Sequence, residues 1–201
     1  MKLLLFILLA YLLGSLPFSK IFPGLKGKDV SAAGTKNIGA TNVLVVAGPV
    51  MGALALAGDI GKGYLAAYLA QSYLGFPWAV ALCGLAAVAG HDFSVFLKFR
   101  GGKGVATTGG ALLLIDPLFA IAVLLLWILL ILVSRYFIPS TIIILGLVPL
   151  MMWILGMRPE FIVFGLAAFL LALYAHRRDI QRIVAGREID TSDSIKKYLK
   201  K

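Results

Sequence analysis

Long apolar stretches alternate with short polar segments along the whole chain. The apolar runs cover about positions 3–22, 49–73, 76–90, 104–116, 117–134, 136–156 and 159–176, and residues 40–48 fit a short interfacial helix. A helix that crosses a bilayer needs roughly 20 mostly apolar residues, so the fourth run is short for a full crossing. We expect an all-α integral membrane bundle of about seven transmembrane helices. It forms one polytopic domain over 1–201, with a short basic tail at 177–201.

Composition leaves little of the chain for anything but membrane. Of the 201 residues, 61% are hydrophobic and 14% are charged, whereas soluble domains are about 45–50% apolar and about 25% charged. This excludes a separate soluble catalytic domain, so any chemistry has to lie in the loops or between the helices. The single cysteine, Cys83, excludes an internal disulfide and a multi-cysteine metal site. We expect no metal and no cofactor.

The net charge of +10 reflects topology rather than nucleic-acid binding. If the N-terminus lies outside, the loops after the first, third, fifth and seventh spans face the cytoplasm together with the tail. Of the 19 Lys and Arg residues, only Lys2, Lys62 and Arg158 then lie elsewhere, as the positive-inside rule requires. Lysines directly after the first apolar run favour a retained helix over a cleaved signal peptide. The expected partners are membrane lipids, with no nucleic acid, and we expect a monomer.

The first polar segment, GKDVSAAGTKNIGATN at residues 27–42, is rich in glycine and in small polar side chains. Glycine permits turns in which backbone N–H groups converge on an anion. The alternative is a flexible interfacial loop that caps the next helix, and the residues leave both interpretations open. The candidate binding residues are Thr35, Lys36, Asn37, Gly39, Thr41 and Asn42.

The second polar segment, GHDFSVFLKFRGGKGVATTGG at residues 90–110, begins with a histidine and an interfacial aromatic stretch. Its glycine turn then leads into a helix, and a helix N-terminus beside a lysine is suited to phosphate. The glycine spacing is not that of a Walker A loop. The alternative is a basic topological anchor. The candidate residues are His91, Arg100, Gly101, Gly102, Lys103, Gly104 and Thr107.

The third polar segment, HRRDIQRIVAGRE at residues 176–188, follows the last apolar run. His176 and Asp179 are three residues apart and can share one helix face, and Arg177 adds positive charge. The alternatives are a structural histidine and a juxtamembrane charge belt.

Two charges also lie inside the second span. Asp59 and Lys62 are three residues apart, so they can pair on a helix and reduce the cost of about 2.5–3.5 kcal/mol that either charge alone incurs at a bilayer centre. A functional pair and a purely structural pair remain equally open.

These segments together resemble one bacterial family, the acyl-phosphate-dependent glycerol-3-phosphate acyltransferases known as PlsY. The resemblance is carried by GSLP near the start, GTKNIGATN, GDIGKG, GHDFSVFLKFRGGKGVAT and HRRDIQRIVAGRE, and it spans nearly the whole chain. It implies seven membrane helices in the bacterial inner membrane, with the motifs facing the cytoplasm.

The resemblance also implies a reaction and the residues that carry it. An acyl group would pass from acyl phosphate to the sn-1 hydroxyl of glycerol 3-phosphate, giving lysophosphatidic acid and phosphate in the first step of phospholipid synthesis. The family's glycine-lysine-glycine segment, associated with glycerol 3-phosphate binding, matches residues 102–104, and its third motif matches His176 and ends at Glu188, to which we give a structural role. We expect His176, Lys103 and Asp179 to be catalytic. Lys36 and the glycine-loop amides would hold phosphate, assisted by Arg177.

Several positions depart from the family pattern. The family has arginine at Ser31, serine at Thr35, glycine at Lys36, proline at Ser94 and asparagine at Asp179. A carboxylate at position 179 repels a bound phosphate unless Lys or Arg neutralises it. The alternatives are therefore a divergent paralogue with another acceptor and a non-catalytic membrane scaffold. A transporter would explain the charges inside the second span, but no internal repeat is present.

Overall fold

The computed structural model describes residues 1–187, and its regular secondary structure is helical, which confirms the all-α fold class. One 3-10 turn, Val95–Leu97, lies between the fifth and sixth helices. The helices are α1 (Lys2–Ser15), α2 (Phe18–Gly24), α3 (Ala40–Ala47), α4 (Pro49–Leu74), α5 (Pro77–Asp92), α6 (Val105–Ile115), α7 (Pro117–Ser134), α8 (Phe137–Ile154), α9 (Pro159–Ala175) and α10 (Arg177–Val184).

Proline sets the start of four long helices. Pro49, Pro77, Pro117 and Pro159 occupy the first turn of α4, α5, α7 and α9. Proline suits that position because its missing N–H would have no helical partner and its fixed φ is already helical. The predicted limits of these spans therefore agree with the structure to within two residues.

The prediction of one continuous helix over 3–22 is wrong, because the structure has two helices there, α1 and α2. The chain leaves helical geometry at Leu16, with φ −58° and ψ 119°, and resumes as α2. Pro17 is the cause, since a proline disfavours the helical region for the residue before it. The carbonyl oxygen of Leu16 is thereby exposed to a side chain from another helix.

The chain is a multi-pass membrane protein. Within the described residues, the segments long and apolar enough to cross a membrane are Lys2–Gly24, Pro77–Leu97, Pro117–Ser134 and Phe137–Ile154, and the pair α9 and α10, bent by 66°, would make a fifth. The helix α4 has 26 residues and α6 only 11. A total of about seven crossings stays a prediction.

Small residues let the central helices pack closely. A Cβ on Gly63 would collide with the carbonyl of Thr107, and one on Gly110 with the carbonyl of Ile60, so α4 and α6 cross in direct backbone contact. Gly14 of α1 lies equally close to α5. Between helices in a membrane, such contacts replace the hydrophobic effect as the source of association. They bring the polar residues of α4, α5 and the start of α6 to one place.

Candidate active site

A buried ion cluster, formed by Ser19, Asp59, Lys62 and His91, lies among α2, α4 and α5. Lys62 Nζ is 2.9 Å from Asp59 Oδ1, Ser19 Oγ donates to Asp59 Oδ2 at 2.9 Å, and His91 Nδ1 is 3.4 Å from Asp59 Oδ1. Lys62 also donates to the carbonyl of Leu16 at 3.1 Å, which the break at Pro17 leaves accessible. The predicted contact of Asp59 with Lys62 is present, and the pair has further partners in α2, in α5 and at the break between α1 and α2.

The glycine segment, residues 101–104, packs against the end of α5 and against the first loop. Gly101 N donates to Asp92 O at 2.9 Å, and Gly102 N donates to His91 O at 3.0 Å. A Cβ on Gly102 would collide with His91 Nε2 and lie 2.5 Å from Ile38 O. Only glycine fits there. These two N–H groups therefore donate to carbonyls of α5 in this arrangement, and the assignment of Gly101 and Gly102 to substrate binding stays a prediction.

The last residue of the glycine segment starts α6. Gly104 has φ +68° and is the N-cap, and a Cβ there would lie 3.0 Å from Asp92 Oδ1. Asp92 is buried, and within residues 1–187 neither of its carboxylate oxygens has a hydrogen-bond partner. Its carboxyl group lies at the N-terminal end of α6, where the helix dipole is positive. Thr107 is fully buried one turn further along, with its carbonyl against Gly63.

A second charged group, the rim cluster, consists of Lys103, Asp179 and Arg182. Lys103 Nζ pairs with Asp179 Oδ2, and Arg182 pairs with Asp179 Oδ1. The side chains of the two cations are 20% and 50% exposed, and that of Asp179 is 7% exposed. The cluster joins the glycine segment to the first turn of α10. Two cations therefore flank the carboxylate of Asp179, which we expected to lie near a bound phosphate.

His176 lies at the junction of α9 and α10 and is buried. Its Nδ1 is 2.9 Å from the carbonyl oxygen of Ala172. A carbonyl only accepts hydrogen bonds, so Nδ1 carries the hydrogen and Nε2 of the neutral ring is the nitrogen that can accept a proton.

The two arginines predicted to bind substrate are both exposed. Arg177 donates to Tyr174 O at 2.8 Å, and its guanidinium lies 4.2 Å above the Tyr174 ring. Arg100 is exposed at the end of the loop that precedes the glycine segment. The structure pairs Lys103 with Asp179, and a substrate-binding role for these two arginines stays a prediction.

Asn42 organises the first loop. Its Nδ2 donates to the carbonyls of Val30 at 2.8 Å and Asn37 at 2.9 Å, and its Oδ1 accepts from Thr35 N at 2.8 Å. The side chain is 1% exposed. Asn42 therefore shapes the loop instead of presenting donors to a substrate.

Three other candidate residues of the first loop are open to solvent. Thr35, Lys36 and Thr41 are exposed, and Lys36 has φ +59°, in the left-handed region that glycine adopts without strain. This backbone explains why glycine suits position 36 in the family pattern. Gly39 is the N-cap of α3. Asn37, Ile38 and Gly39 form the part of the loop that adjoins the glycine segment, since Ile38 O lies against Gly102.

Ser31, where the family pattern has arginine, is used within the loop. Its hydroxyl and its backbone N–H both donate to Asp29 Oδ1, at 2.6 and 2.9 Å. These two hydrogen bonds hold the pKa of Asp29 below its usual value. Ser31 therefore supplies no positive charge, and its hydroxyl is already bonded to Asp29.

The three polar segments meet around the glycine segment, above a cavity of only ≈ 10 Å³. Its lining includes Ser19, Ile38, Lys62 and His91. The sequence analysis missed both Ser19 and Ile38. Ser19 is a single polar residue at the end of an apolar run, and Ile38 contacts Gly102 through its backbone carbonyl, which no side-chain pattern reveals. Glu188, predicted to be structural, lies outside the described residues.

Comparison with known proteins gives one consistent family. The family profile described as Glycerol-3-phosphate acyltransferase matches residues 4–186. The glycerol-3-phosphate acyltransferase of Carboxydothermus hydrogenoformans is 39% identical over 182 residues, which is 90% of this chain and 92% of that protein. The enzyme of the same name from Aquifex aeolicus is 35% identical over 94% of this chain and 98% of that protein.

Two solved structures are similar over nearly the whole fold. A crystal structure of PlsY, an integral membrane glycerol 3-phosphate acyltransferase, in its glycerol 3-phosphate form has a TM-score of 0.89 and 34% identity, covering 94% of this chain and 96% of that one. The lysophosphatidic acid form has a TM-score of 0.88 and 32% identity, covering 97% and 99%.

Proposed function

This chain belongs to the glycerol-3-phosphate acyltransferase family, and from that premise we propose that it transfers the acyl group of an acyl phosphate to the sn-1 hydroxyl of glycerol 3-phosphate. Its relatives are named glycerol-3-phosphate acyltransferases, which supports acyl transfer to glycerol 3-phosphate. We add to this activity an acyl phosphate as the donor and the sn-1 hydroxyl as the acceptor. The product is lysophosphatidic acid, which a membrane enzyme can release directly into the bilayer.

One observation carries the proposal: the glycine segment is held against His91 and Ile38, while Lys103, within it, pairs with Asp179, three residues after His176. Lys103 is thereby paired with a residue on the first turn of α10, the helix that begins directly after His176. A fixed cation favours phosphate binding, and the apolar helices favour an acyl chain. Glycerol 3-phosphate and acyl phosphate together need both features.

The reaction that we propose needs no covalent intermediate on the protein. The C1 hydroxyl oxygen of glycerol 3-phosphate attacks the acyl carbonyl carbon, the bond between that carbon and the phosphate oxygen breaks, and inorganic phosphate leaves. Lys103 and the solvent-accessible Lys36 offset the negative charge of the two phosphates. Holding two substrates in reacting geometry supplies much of the rate enhancement in such a site.

The hydroxyl proton has two acceptors in this arrangement. One is Nε2 of His176, whose other nitrogen is oriented by Ala172 O. The other is an oxygen of the leaving phosphate. The His176→Gln variant separates the two, because glutamine fills similar space without a titrating ring. Loss of kcat with an unchanged KM would make His176 the base.

A donor comparison tests the reaction itself. Purified protein is supplied with labelled glycerol 3-phosphate and, in separate reactions, palmitoyl phosphate, palmitoyl-CoA and palmitoyl-acyl carrier protein. We expect lysophosphatidic acid only from palmitoyl phosphate. Product from either other donor would overturn the acyl phosphate proposal, and no product from any of the three would favour the membrane scaffold.

Lys103→Ala tests the phosphate site. Loss of one charge-assisted contact corresponds to about 1.5–3 kcal/mol, so we expect KM for glycerol 3-phosphate to rise by about 10- to 100-fold. Lys98→Ala is the matched control, since Lys98 is an exposed lysine five positions earlier and should change KM less than twofold. An unchanged KM in Lys103→Ala would remove this lysine from the site.

The proposed enzyme lies in the bacterial inner membrane as a monomer, with its N-terminus outside and its motifs in the cytoplasm. The distribution of Lys and Arg among the loops supports this orientation. Ser31→Cys in a Cys83→Ser background places one exposed thiol on the first loop. Labelling of that thiol from the periplasmic side of intact cells would show that the orientation is the opposite of the one proposed.

A further inference from the structure

The carboxylate of Asp179 pairs with the ammonium group of Lys103, on which the proposed phosphate site depends. Asp179 Oδ2 pairs with Lys103 Nζ, and the aspartate side chain is only 7% exposed. An ammonium donates to a carboxylate and to a phosphate with the same N–H groups. In the protein without substrate, the lysine therefore already holds an anion supplied by the chain itself.

We propose that Asp179 is an internal competitor for Lys103 and so limits the affinity of the site for phosphate-bearing ligands. The proposal rests on the proposed function only in placing a substrate phosphate at Lys103. Glycerol 3-phosphate then binds in one of two ways. It displaces the carboxylate from Lys103, or it joins the lysine beside a carboxylate of like charge. Both routes weaken binding relative to a site with a neutral side chain at position 179.

Arg182 makes the displacement feasible. It pairs with the other carboxylate oxygen, Oδ1, and lies three residues after Asp179 on α10. When Lys103 turns to a phosphate, Asp179 keeps a cationic partner on its own helix. The aspartate then does not remain as an unpaired buried charge, a state that would cost far more than the exchange.

This role differs from catalysis by Asp179. A catalytic aspartate would act on the reacting hydroxyl, and its loss would lower kcat. A competitor acts on ground-state binding, so its loss lowers both KM and the dissociation constant for glycerol 3-phosphate. The same loss makes inorganic phosphate, the second product, a stronger inhibitor.

Asp179→Asn is the test, in the full-length protein in lipid nanodiscs. It removes the charge and keeps the side-chain shape. Calorimetric titration with glycerol 3-phosphate, without any acyl donor, should give a dissociation constant about 3- to 10-fold lower than that of the unmodified protein. The inhibition constant of inorganic phosphate should fall by a similar factor.

Asp179→Glu is the matched control, because it keeps the carboxylate and should bind glycerol 3-phosphate within twofold of the unmodified protein. Equal or weaker binding by Asp179→Asn at an unchanged melting temperature would overturn the inference. A drop in kcat without tighter binding would do the same and make Asp179 catalytic. Tighter binding in a protein that transfers no acyl group would keep the inference and overturn the proposed reaction. If Asp179→Asn does not fold, Arg182→Ala replaces it as the test. We then expect Arg182→Ala to bind glycerol 3-phosphate more weakly than the unmodified protein does, and unchanged or tighter binding would overturn the inference.

Discussion

The protein holds two groups of charged side chains that look alike in composition and differ in what surrounds them. In the buried ion cluster, the side chains of Asp59 and Lys62 are each 2% exposed, and their partners come from α2, α5 and the carbonyl of Leu16. In the rim cluster, Lys103 is 20% and Arg182 is 50% exposed, and both bind one carboxylate.

The difference in surroundings implies a difference in role. The buried ion cluster is closed, because every exchange of partners would leave a charge unpaired inside the bundle, where it costs several kcal/mol. The rim cluster has water at its edge and two cations for one anion, so one cation can move to another anion at low cost. We infer that the first group fixes architecture and the second binds ligand. The glycine segment joins them through His91 on one side and Lys103 on the other.

Asp59→Ala should break the buried ion cluster and have the largest effect. It leaves the ammonium group of Lys62 with the carbonyl oxygen of Leu16 and removes the acceptor of the Ser19 hydroxyl. Removing one member of a buried ion pair typically costs about 3–5 kcal/mol, so we expect little folded protein. Thermal unfolding of the detergent-solubilised protein measures this.

The double variant Asp59→Leu with Lys62→Met distinguishes a charge effect from a packing effect. Apolar side chains of similar size often replace a buried ion pair without loss, so the double variant should be more stable than Asp59→Ala. Asp29→Ala removes an exposed carboxylate instead and should leave the melting temperature nearly unchanged. A melting temperature for Asp59→Ala within error of the unmodified protein would contradict the architectural role.

Gly102→Ala should uncouple the two groups and have the next largest effect. The added methyl collides with His91 Nε2 and with Ile38 O, so the glycine segment has to move and carry Lys103 with it. A displacement of about 1 Å near reacting groups can cost about 100-fold in rate. We expect kcat/KM to fall by about that factor, with a smaller loss of stability than in Asp59→Ala.

Gly109→Ala is the matched control, because a Cβ at that position meets nothing within 4 Å. Alanine also favours the interior of α6 over glycine, so activity should stay within twofold. Full activity in Gly102→Ala would show that the position of the glycine segment does not limit the reaction.

The helices were largely predictable from the sequence for two physical reasons. Bilayer thickness fixes the length of apolar runs, and proline at a first turn marks where a helix starts, as at Pro117 and Pro159. The break at Leu16 was missed because the apolar run continues through it, and only the backbone constraint that Pro17 imposes reveals it. Hydrophobicity therefore located the spans, and local stereochemistry determined their ends.

The candidate site was predictable as a set of segments but not as a set of contacts. Lys103 and Asp179 were each identified from their segments, yet they lie 76 positions apart, and nothing local indicates that they pair. Ser19 and Asp59, 40 positions apart, meet only because α2 packs on α4. The hydrogen bonds of Gly101 and Gly102 to α5 were equally hidden, since a glycine-rich sequence does not say which acceptor its N–H groups find.

Arg182→Ala should have the smallest effect and give the sharpest view of the rim cluster. Without Arg182, Asp179 depends more on Lys103, so the lysine is less available to phosphate. Because the arginine is half exposed, we expect KM for glycerol 3-phosphate to rise only about 2- to 5-fold. In an Asp179→Asn background the same change should do nothing, since the competition that Arg182 moderates is gone. An equal rise in KM in both backgrounds would mean that Arg182 contacts the phosphate directly. The rim cluster would then be a simple cationic binding site, and Lys103 would not exchange between the carboxylate and the phosphate.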